Sequence, residues 1–322
     1  MRLRRRSDDA GMRIVFATDI HGSERCFRKF LNAGKFYSAD HLVLGGDITG
    51  KVLVPIIREP GGFRCEYNDR SYTDLTESER ADLERLIRDN GQYPVVGDYD
   101  ELEALIDEAE REDAFRRVVL ESIARWVQLA EDKLRGSGIR CFITPGNDDY
   151  TEVDDALRAS DVVEYVEGKC VALDDEHEMI TTGYSNITPW RSPRELSEDE
   201  LQRYMGEMAR SVADPARMIA VLHPPPFGTE LDKAPAIDEH FRVQMDGGQP
   251  RMASVGSTAV RAVLEEYQPL LSLHGHVHES RAAQRLGRTT CINPGSEYTT
   301  GTLLCVIVSV RSDRVEYQFI AG

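Results

Sequence analysis

Short apolar runs of the strand type alternate with helical patterns over most of the chain. The runs at residues 14–17 and 42–44 flank a segment at 24–31 whose apolar side chains recur with helical spacing. Further strands are predicted at 141–144, 179–182, 218–222, 270–273 and 289–292, and a terminal hairpin at 303–310 and 315–320. Strands separated by helices predict an α/β sheet, here with antiparallel pieces near the end of the chain.

The segment from about residue 51 to 135 has a different character, because acidic and basic side chains crowd it. Residues 75–87 and 102–134 have the pattern of helices with solvated faces. We therefore predict one α/β domain over residues 12–322, with a charged helical insertion at about 54–113. The second of these helices is expected to lead the chain back to the sheet.

The charge of the chain argues against some partners. Its 39 Lys and Arg residues and 56 Asp and Glu residues give a net charge of −17. A surface this negative repels phosphate backbones, so an extended nucleic acid is not an expected partner. A smaller ligand that carries phosphate would need a local positive centre, which a bound metal ion supplies.

Three features bear on the location of the protein. The longest apolar run, at residues 303–308, is far shorter than the roughly 20 residues that cross a bilayer, so no membrane segment is predicted. The basic stretch at residues 1–11 lacks an apolar core and is predicted to be a disordered tail, not a secretion signal. Six scattered cysteines without a C-x-x-C pair indicate reduced residues. Together these features predict a cytoplasmic protein.

Five of the predicted strands end in residues that can bind a metal ion. Reactive groups collect beyond the carboxyl ends of strands in an open α/β sheet, so these endings are expected to meet. One aspartate at a strand end usually caps the next helix, but five such endings in succession indicate a site. In chain order the endings hold Asp19 and His21, then Asp47, then Asn147 with Asp148 and Asp149, then His223, and last His276 and His278.

The residue types in these endings indicate which metals would bind. Four of the eight histidines of the chain lie there. Imidazole mixed with carboxylate suits Mn, Fe, Zn or Ni, whereas oxygen ligands alone would suit Mg or Ca. A fifth histidine, His274, lies beside the last pair, but alternation along a strand favours a position in the core.

The order of these motifs resembles that of the calcineurin-like metallophosphoesterases. Their signature runs D-x-H, G-D, G-N-x-D, H and G-H-x-H, and each element occurs in that order between about residues 13 and 322, outside the insertion. Residues 223–229 (HPPPFGT) and 293–297 (NPGSE) are similar to a bacterial and archaeal branch of predicted phosphoesterases, here with G-N-D-D as the third motif. The resemblance implies a four-layer α-β-β-α sandwich with two mixed sheets.

The resemblance also implies a centre of two divalent transition metal ions, with manganese expected and Fe, Zn or Ni as alternatives. The ligands it implies are Asp19, His21 and His278 for one ion, Asn147, His223 and His276 for the other, and Asp47 as the bridge. Two ions about 3.5–4 Å apart can clamp a phosphate and supply a bridging hydroxide as the nucleophile. No site for an organic cofactor is predicted.

Asp148 stands where many members of this family have a histidine that protonates the leaving group or contacts the phosphate. An exposed aspartate has a pKa of about 3.9, and its charge repels an anionic phosphate. Three interpretations follow: the metals neutralise Asp148, Asp149 raises its pKa as in a coupled pair, or the reaction uses no protein acid. Asp148 and Asp149 are the candidate catalytic side chains.

The expected activity is metal-dependent hydrolysis of phosphoester bonds, with a nucleotide or another small phosphodiester as the substrate. A nuclease is one alternative, although the charge of −17 argues against it. The other alternative is a catalytically weak protein-binding scaffold on the same fold. Such a scaffold would be expected to have lost some metal ligands, whereas all seven ligand positions here carry side chains that can bind a metal ion. The insertion is a candidate surface for a protein partner or for a homo-oligomer.

Overall fold

The structure is a computed structural model that describes residues 11–322. The tail predicted at residues 1–11 lies outside the described residues, apart from Gly11. Within residues 11–322, no helix combines the length and the apolar composition that crossing a membrane requires. The α-helices of this part of the chain are α1 (Glu24–Phe36), α2 (Glu77–Asp89), α3 (Tyr99–Glu103), α4 (Glu108–Leu134), α5 (Val153–Arg158), α6 (Glu198–Ser211) and α7 (Thr258–Tyr267).

The strands fall into two large sheets and several small ones. In chain order they are β1 (Met12–Ala17), β2 (His41–Gly45), β3 (Leu53–Glu59), β4 (Gly62–Tyr67), β5 (Arg70–Leu75), β6 (Tyr93–Gly97), β7 (Arg140–Thr144), β8 (Val163–Tyr165), β9 (Lys169–Ala172), β10 (Glu178–Thr182), β11 (Ser185–Asn186), β12 (Glu195–Leu196), β13 (Ile219–Leu222), β14 (Lys233–Pro235), β15 (Met245–Asp246), β16 (Gln249–Pro250), β17 (Met252–Ser254), β18 (Leu271–Leu273), β19 (Ala282–Leu286), β20 (Thr289–Asn293), β21 (Leu304–Arg311) and β22 (Arg314–Ala321).

The two large sheets are mixed and have six strands each. The first has the order β22-β21-β1-β2-β7-β8, in which β1, β2, β7 and β8 are parallel and the hairpin of β21 and β22 is joined to β1 by antiparallel pairing. The second has the order β19-β20-β18-β13-β10-β9, with a parallel centre and an antiparallel strand at each edge. The predicted terminal hairpin is confirmed.

The two sheets pack face to face, and helices cover their outer faces. Phe16 and Phe142 of the first sheet share one buried cluster with Val221 and Leu273 of the second. The other face of the first sheet packs on α1 and α4, where the Phe27 ring stacks on Trp126 at 4.3 Å between centroids. The other face of the second sheet packs on α6 and α7. The predicted four-layer α-β-β-α sandwich is therefore confirmed.

Central strands that are buried on both faces explain why the apolar runs predicted them so well. All five residues of β2 are buried, and so are all four of β13. A parallel strand covered on both sides has no polar face, so it appears in the sequence as an unbroken apolar run.

The segment between β2 and α4 contains strands that the sequence analysis did not predict. Strands β3 to β6 form a separate four-stranded sheet in the order β5-β4-β3-β6. Helix α2 packs on this sheet through Leu83 and Ile87, and Val54, Ile56 and Phe63 complete a small core of its own. The segment is therefore a mixed α/β excursion and not purely helical. Helices do form close to the predicted 75–87 and 102–134, as α2 and α4.

Candidate metal centre

The carboxyl ends of five strands meet at one end of the sandwich, where loops from both large sheets come together. Loops after β1, β2 and β7 come from the first sheet, and loops after β13 and β18 come from the second. Two groups of three side chains place their donor atoms within 4.8 Å of one another, and these groups are Asp19 with His21 and His278, and Asp47 with His223 and His276. Asn147 joins the second group, because its Oδ1 lies 2.9 Å from Nδ1 of His276. The structure thus brings together all seven side chains of the predicted set.

Asp47 lies between the two groups. Its Oδ2 is 3.7 Å from Nε2 of His21, and its Oδ1 is 3.4 Å from Nε2 of His223. Asp19 lies next to both groups as well, with Oδ1 3.3 Å from Nε2 of His278 and 3.9 Å from Nε2 of His223. Asp47 therefore presents one carboxylate oxygen to each of the two groups.

The backbone at this site is strained. Asp19, His21, Asp47 and His276 have φ angles of 51°, 37°, 47° and 66°, in the left-handed region that side chains other than glycine rarely adopt. Each such residue costs of order 1–3 kcal/mol, so the surrounding structure must hold it in place. Backbone strain of this kind clusters at functional sites, and here it falls on four of the seven side chains that converge.

Glycines leave the space that the converging loops need. A Cβ atom on Gly46, whose φ is +116°, would lie 2.3 Å from Nδ1 of His223. A Cβ atom on Gly275 would lie 2.2 Å from Oδ2 of Asp19. The glycines of the G-G-D and G-H-x-H motifs are therefore required by close approach between the two sheets.

Hydrogen bonds at the far side of the histidine rings fix which nitrogen faces the cluster. Nδ1 of His223 donates to the carbonyl oxygen of Gly45 at 3.0 Å, so in the neutral ring Nε2 carries the lone pair. That Nε2 is buried and has no hydrogen-bond partner among the described residues. Nδ1 of His21 likewise lies 3.3 Å from the carbonyl oxygen of Thr49, and its Nε2 is only 3.1 Å from Nε2 of His278. Lone pairs that converge in this way fit a shared cation.

The charges of the buried groups agree with this arrangement. Burial lowers the pKa of both His21 and His276 to about 4, so these rings are neutral at pH 7 and free to act as ligands. Burial alone would raise the pKa of Asp47, but the neighbouring His223 holds it well below its usual range. Burial opposes charge on His223 too, yet Asp47 and Asp19 raise its pKa to about 10. A cation would compete with that proton for the same lone pair.

The donor set fits a divalent transition metal. It combines imidazole nitrogens with carboxylate and amide oxygens, and ring orientation is fixed by hydrogen bonds from behind. The cysteines do not take part. Cys26, Cys141, Cys291 and Cys305 are buried in the apolar clusters of the sandwich, Cys170 packs against one of these clusters, and Cys65 lies in the core of the small four-stranded sheet.

Asp149 faces the backbone and not the cluster. Its two carboxylate oxygens accept hydrogen bonds from N–H of Ile48 at 3.0 Å, Thr49 at 2.8 Å and Gly146 at 2.6 Å, and from the Thr49 hydroxyl at 2.5 Å. Burial, followed by the charge of Asp47, raises its pKa to about 6. Asp149 therefore joins the loop that carries Asp47 to the loop that carries Asn147.

Asp148 occupies a different environment, at the edge of the cluster. Its carboxylate forms an ion pair with Lys51 and accepts a 2.6 Å hydrogen bond from the hydroxyl of Ser192. Its side chain also falls into a third group of potential ligands with His21 and Asp47. The neighbour that balances its charge is thus a lysine, which none of the three sequence-based interpretations considered.

Two side chains at the site were missed by the sequence analysis. Lys51 follows Asp47 by four residues, and the Tyr298 ring lies 4.8 Å from the His21 ring and 6.1 Å from the His278 ring between centroids. Of the two, only Lys51 could have been found from the sequence, because it ends the G-D-I-T-G-K stretch that begins with the G-D motif in the loop after β2. Tyr298 reaches the site from a 3-10 turn, and no motif marks it.

His274 lies in the core beside the site, as strand alternation favoured. Its Nδ1 is 2.8 Å from the carbonyl oxygen of Leu222 and 3.0 Å from that of Pro224, and its Nε2 is 2.8 Å from the hydroxyl of Ser272. Burial lowers the pKa of His274 to about 4. The ring is therefore a neutral connector between β18 and the loop that carries His223.

Fold and site together define a mixed α/β sandwich with a histidine and carboxylate cluster at its sheet edges. No family model matches the chain. An uncharacterized protein of Methanocaldococcus jannaschii, MJ1162, is 27% identical over 152 residues, which cover 47% of this chain and 61% of that protein. The chain thus aligns with less than two thirds of the length of this relative.

Solved structures share the fold at low sequence identity. One crystal structure aligns with 96% of this chain and 98% of its own, with a TM-score of 0.58 and 14% identity. The crystal structure of TT1561 from Thermus thermophilus also aligns with 96% of this chain and 98% of its own, with a TM-score of 0.53 and 11% identity. These similarities establish the fold of the chain.

Proposed function

We propose that this chain is a metal-dependent phosphoesterase of the calcineurin-like type, and that it hydrolyses a nucleotide or another small phosphodiester. The observation that carries the proposal is the convergence of histidine lone pairs and carboxylates from five loops. The buried Nε2 of His223, which faces Asp47 at 3.4 Å and has no hydrogen-bond partner among the described residues, is the clearest single sign that an ion belongs there.

Two divalent transition metal ions fit the two groups of donors, with Asp47 between them. When bound, such a pair orients a phosphate, activates water and stabilises the charge that develops during displacement. The chain contributes the orientation of the ligands. Thr18 Oγ1 donates to Oδ2 of Asp19 at 2.6 Å, and N–H of His276 donates to the same carboxylate at 3.0 Å. These bonds leave Asp19 little freedom to turn away from the cluster.

The proposal favours a diester over a monoester. Asp148 places a carboxylate at the edge of the cluster, where a phosphate group must approach. A phosphodiester has one negative charge and a phosphomonoester has close to two at pH 7, so the repulsion from Asp148 is stronger for the monoester. The net charge of −17 likewise favours a small substrate over an oligonucleotide. A cytoplasmic location and manganese as the native metal complete the proposal.

A panel of substrates tests this function directly. Protein loaded with Mn²⁺ is assayed against phosphomonoesters, cyclic nucleotides, an activated diester and oligonucleotides, while bound metal is measured by elemental analysis. We expect two equivalents of metal and the highest kcat/KM on small diesters. His223→Ala is expected to lose both metal and turnover, because it removes a buried donor.

His240→Ala is the matched control, since His240 is exposed and lies outside the site. It should keep the metal content and the activity of the unmodified chain. A folded protein that binds no divalent metal, or one that carries two ions and cleaves none of the panel, would contradict the proposal. Preference for oligonucleotides over every small diester would support the nuclease alternative.

A further inference from the structure

Lys51 places a positive charge at the edge of an acidic cluster. Its ammonium pairs with the carboxylate of Asp148, and its side chain is 52% exposed while that of Asp148 is 20% exposed. Asp148 in turn belongs to the group of donors that includes His21 and Asp47. The ammonium therefore lies between the cluster and solvent.

The backbone that carries Lys51 is held firmly. N–H of Gly50 donates to Oη of Tyr93 at 2.8 Å, and the carbonyl oxygen of Ile48 accepts from N–H of Gly22 at 2.8 Å. N–H of Thr49 donates to the buried carboxylate of Asp149. Because these bonds hold residues 48–50, the backbone next to Lys51 does not depend on the ion pair with Asp148.

Asp148 keeps other partners if the lysine turns away. Its Oδ1 accepts from the hydroxyl of Ser192 at 2.6 Å and from Nδ2 of Asn147 at 3.1 Å. The ion pair is also partly exposed, and pairs of this kind contribute only about 0–1 kcal/mol. If Lys51 leaves the carboxylate of Asp148 for a stronger anionic partner, the stability of the fold therefore changes little.

We propose that Lys51 binds a non-bridging oxygen of the substrate phosphate and gives up its contact with Asp148 when it does so. This inference rests on the proposed function and deepens it, because it names the residue that recognises the phosphate beside the metal ions. A phosphate is a better partner than a carboxylate for an ammonium near bound cations, since it also bonds to those cations. Asp148 then competes with the substrate for the lysine.

The competition has a consequence for specificity. With Lys51 on the phosphate, Asp148 has lost its counterion and opposes further negative charge. A monoanionic diester meets less opposition than a dianionic monoester. Removal of the carboxylate in Asp148→Asn should therefore raise kcat/KM for monoesters relative to diesters.

Binding of inorganic phosphate to the Mn²⁺-loaded full chain tests the inference without turnover. Isothermal titration calorimetry at low salt gives the Kd, and elemental analysis gives the metal content. We expect Lys51→Met to raise the Kd roughly tenfold, as loss of one charge-assisted hydrogen bond does. Asp148→Asn should lower the Kd by about threefold, because it removes the competing anion of a partly exposed pair. If the ion pair were merely structural, both variants would change the Kd for phosphate in the same direction.

Two further variants complete the design. Lys51→Arg keeps the charge and should bind phosphate within about threefold of the unmodified chain. Lys35→Met removes an exposed lysine from the last turn of α1, outside the cluster of donor side chains, and should change nothing. Metal content is expected to stay constant in all four variants.

The outcomes separate this inference from the proposed function. If the unmodified protein carries metal and binds phosphate, but Lys51→Met binds it equally well, Lys51 has no role in recognition and the inference is overturned. Equal weakening in Lys51→Met and Asp148→Asn would overturn it too, since that result marks a structural pair. Failure of the unmodified protein to bind metal and phosphate would instead overturn the proposed function, and the inference with it.

Discussion

Replacement of Asp149 by asparagine distinguishes a structural role for this residue from the catalytic role that its sequence position suggests. The carboxylate accepts four hydrogen bonds, two on each oxygen, from Ile48, Thr49 and Gly146. An asparagine has one acceptor oxygen in place of two. Whichever way its amide turns, two of the four donors face an NH2 group and lose their acceptor.

The cost can be estimated from these bonds. A buried donor without an acceptor costs roughly 1–3 kcal/mol, so two such donors cost about 4 kcal/mol. A domain of ordinary stability has a free energy of unfolding of about 5–15 kcal/mol. Asp149→Asn should therefore remain folded at low temperature, but with a small remaining free energy of unfolding. The loops that carry Asp47 and Asn147 are the ones released, so metal affinity should fall together with stability.

Urea unfolding followed by circular dichroism measures the free energy of unfolding, and Mn²⁺ titration measures the metal affinity. Asp148→Asn, one residue away, is the matched control. Its ion pair with Lys51 is partly exposed, so its effect on stability should stay below about 1 kcal/mol. If Asp149→Asn instead unfolds like the unmodified chain and loses turnover by about 10²-fold or more, the size expected for a general acid or base, Asp149 is catalytic and its structural role is refuted.

Three further perturbations test other parts of the site. Asp47→Asn should remove nearly all turnover and lower the bound metal below two equivalents, because Asp47 lies beside both His21 and His223; a folded variant with normal metal content and activity would refute the bridge. Gly46→Ala should lower the free energy of unfolding by ~2 kcal/mol or more in urea, since its Cβ would lie 2.3 Å from Nδ1 of His223, and unchanged stability would show that the loop can move aside. His274 has a pKa of about 4 in the folded chain against 6.5 as the ordinary value. The unfolded chain therefore takes up the proton first, so His274 should contribute a loss of ~2 kcal/mol of stability as the pH drops from 7 to 5, in addition to the losses from His21 and His276. His274→Gln should flatten that part of a urea-derived stability profile by the His274 share; a profile identical to that of the unmodified chain would contradict the burial of a neutral ring.

The strands that are buried on both faces of a sheet could be predicted from the sequence. The parallel strands β1, β2 and β13 are apolar over most or all of their length, so their positions and their polar endings could be predicted together. The strands β3 to β6 are covered on one side only, and their polar residues resemble the solvated face of a helix in composition. A period of two was nevertheless present in β4, where Phe63, Cys65 and Tyr67 are more deeply buried than Arg64 and Glu66 between them.

The side chains around the cluster were less predictable than the cluster itself. Asp148 and Asp149 are neighbours in one motif, yet one faces solvent and a lysine while the other faces three backbone amides. The direction of a side chain in a loop depends on the loops packed against it, and the sequence alone does not contain that information. The same reason explains why Lys51 and Tyr298 were missed.

The position of β1 bears on how the chain can fold. This strand lies between β2, which follows it closely, and β21, which pairs with it from the far end of the chain, with Arg13 opposite Ser309. During synthesis on a ribosome, β1 and β2 can pair early, but one edge of β1 stays open until β21 has emerged. An open edge of an apolar strand is a place where chains associate wrongly.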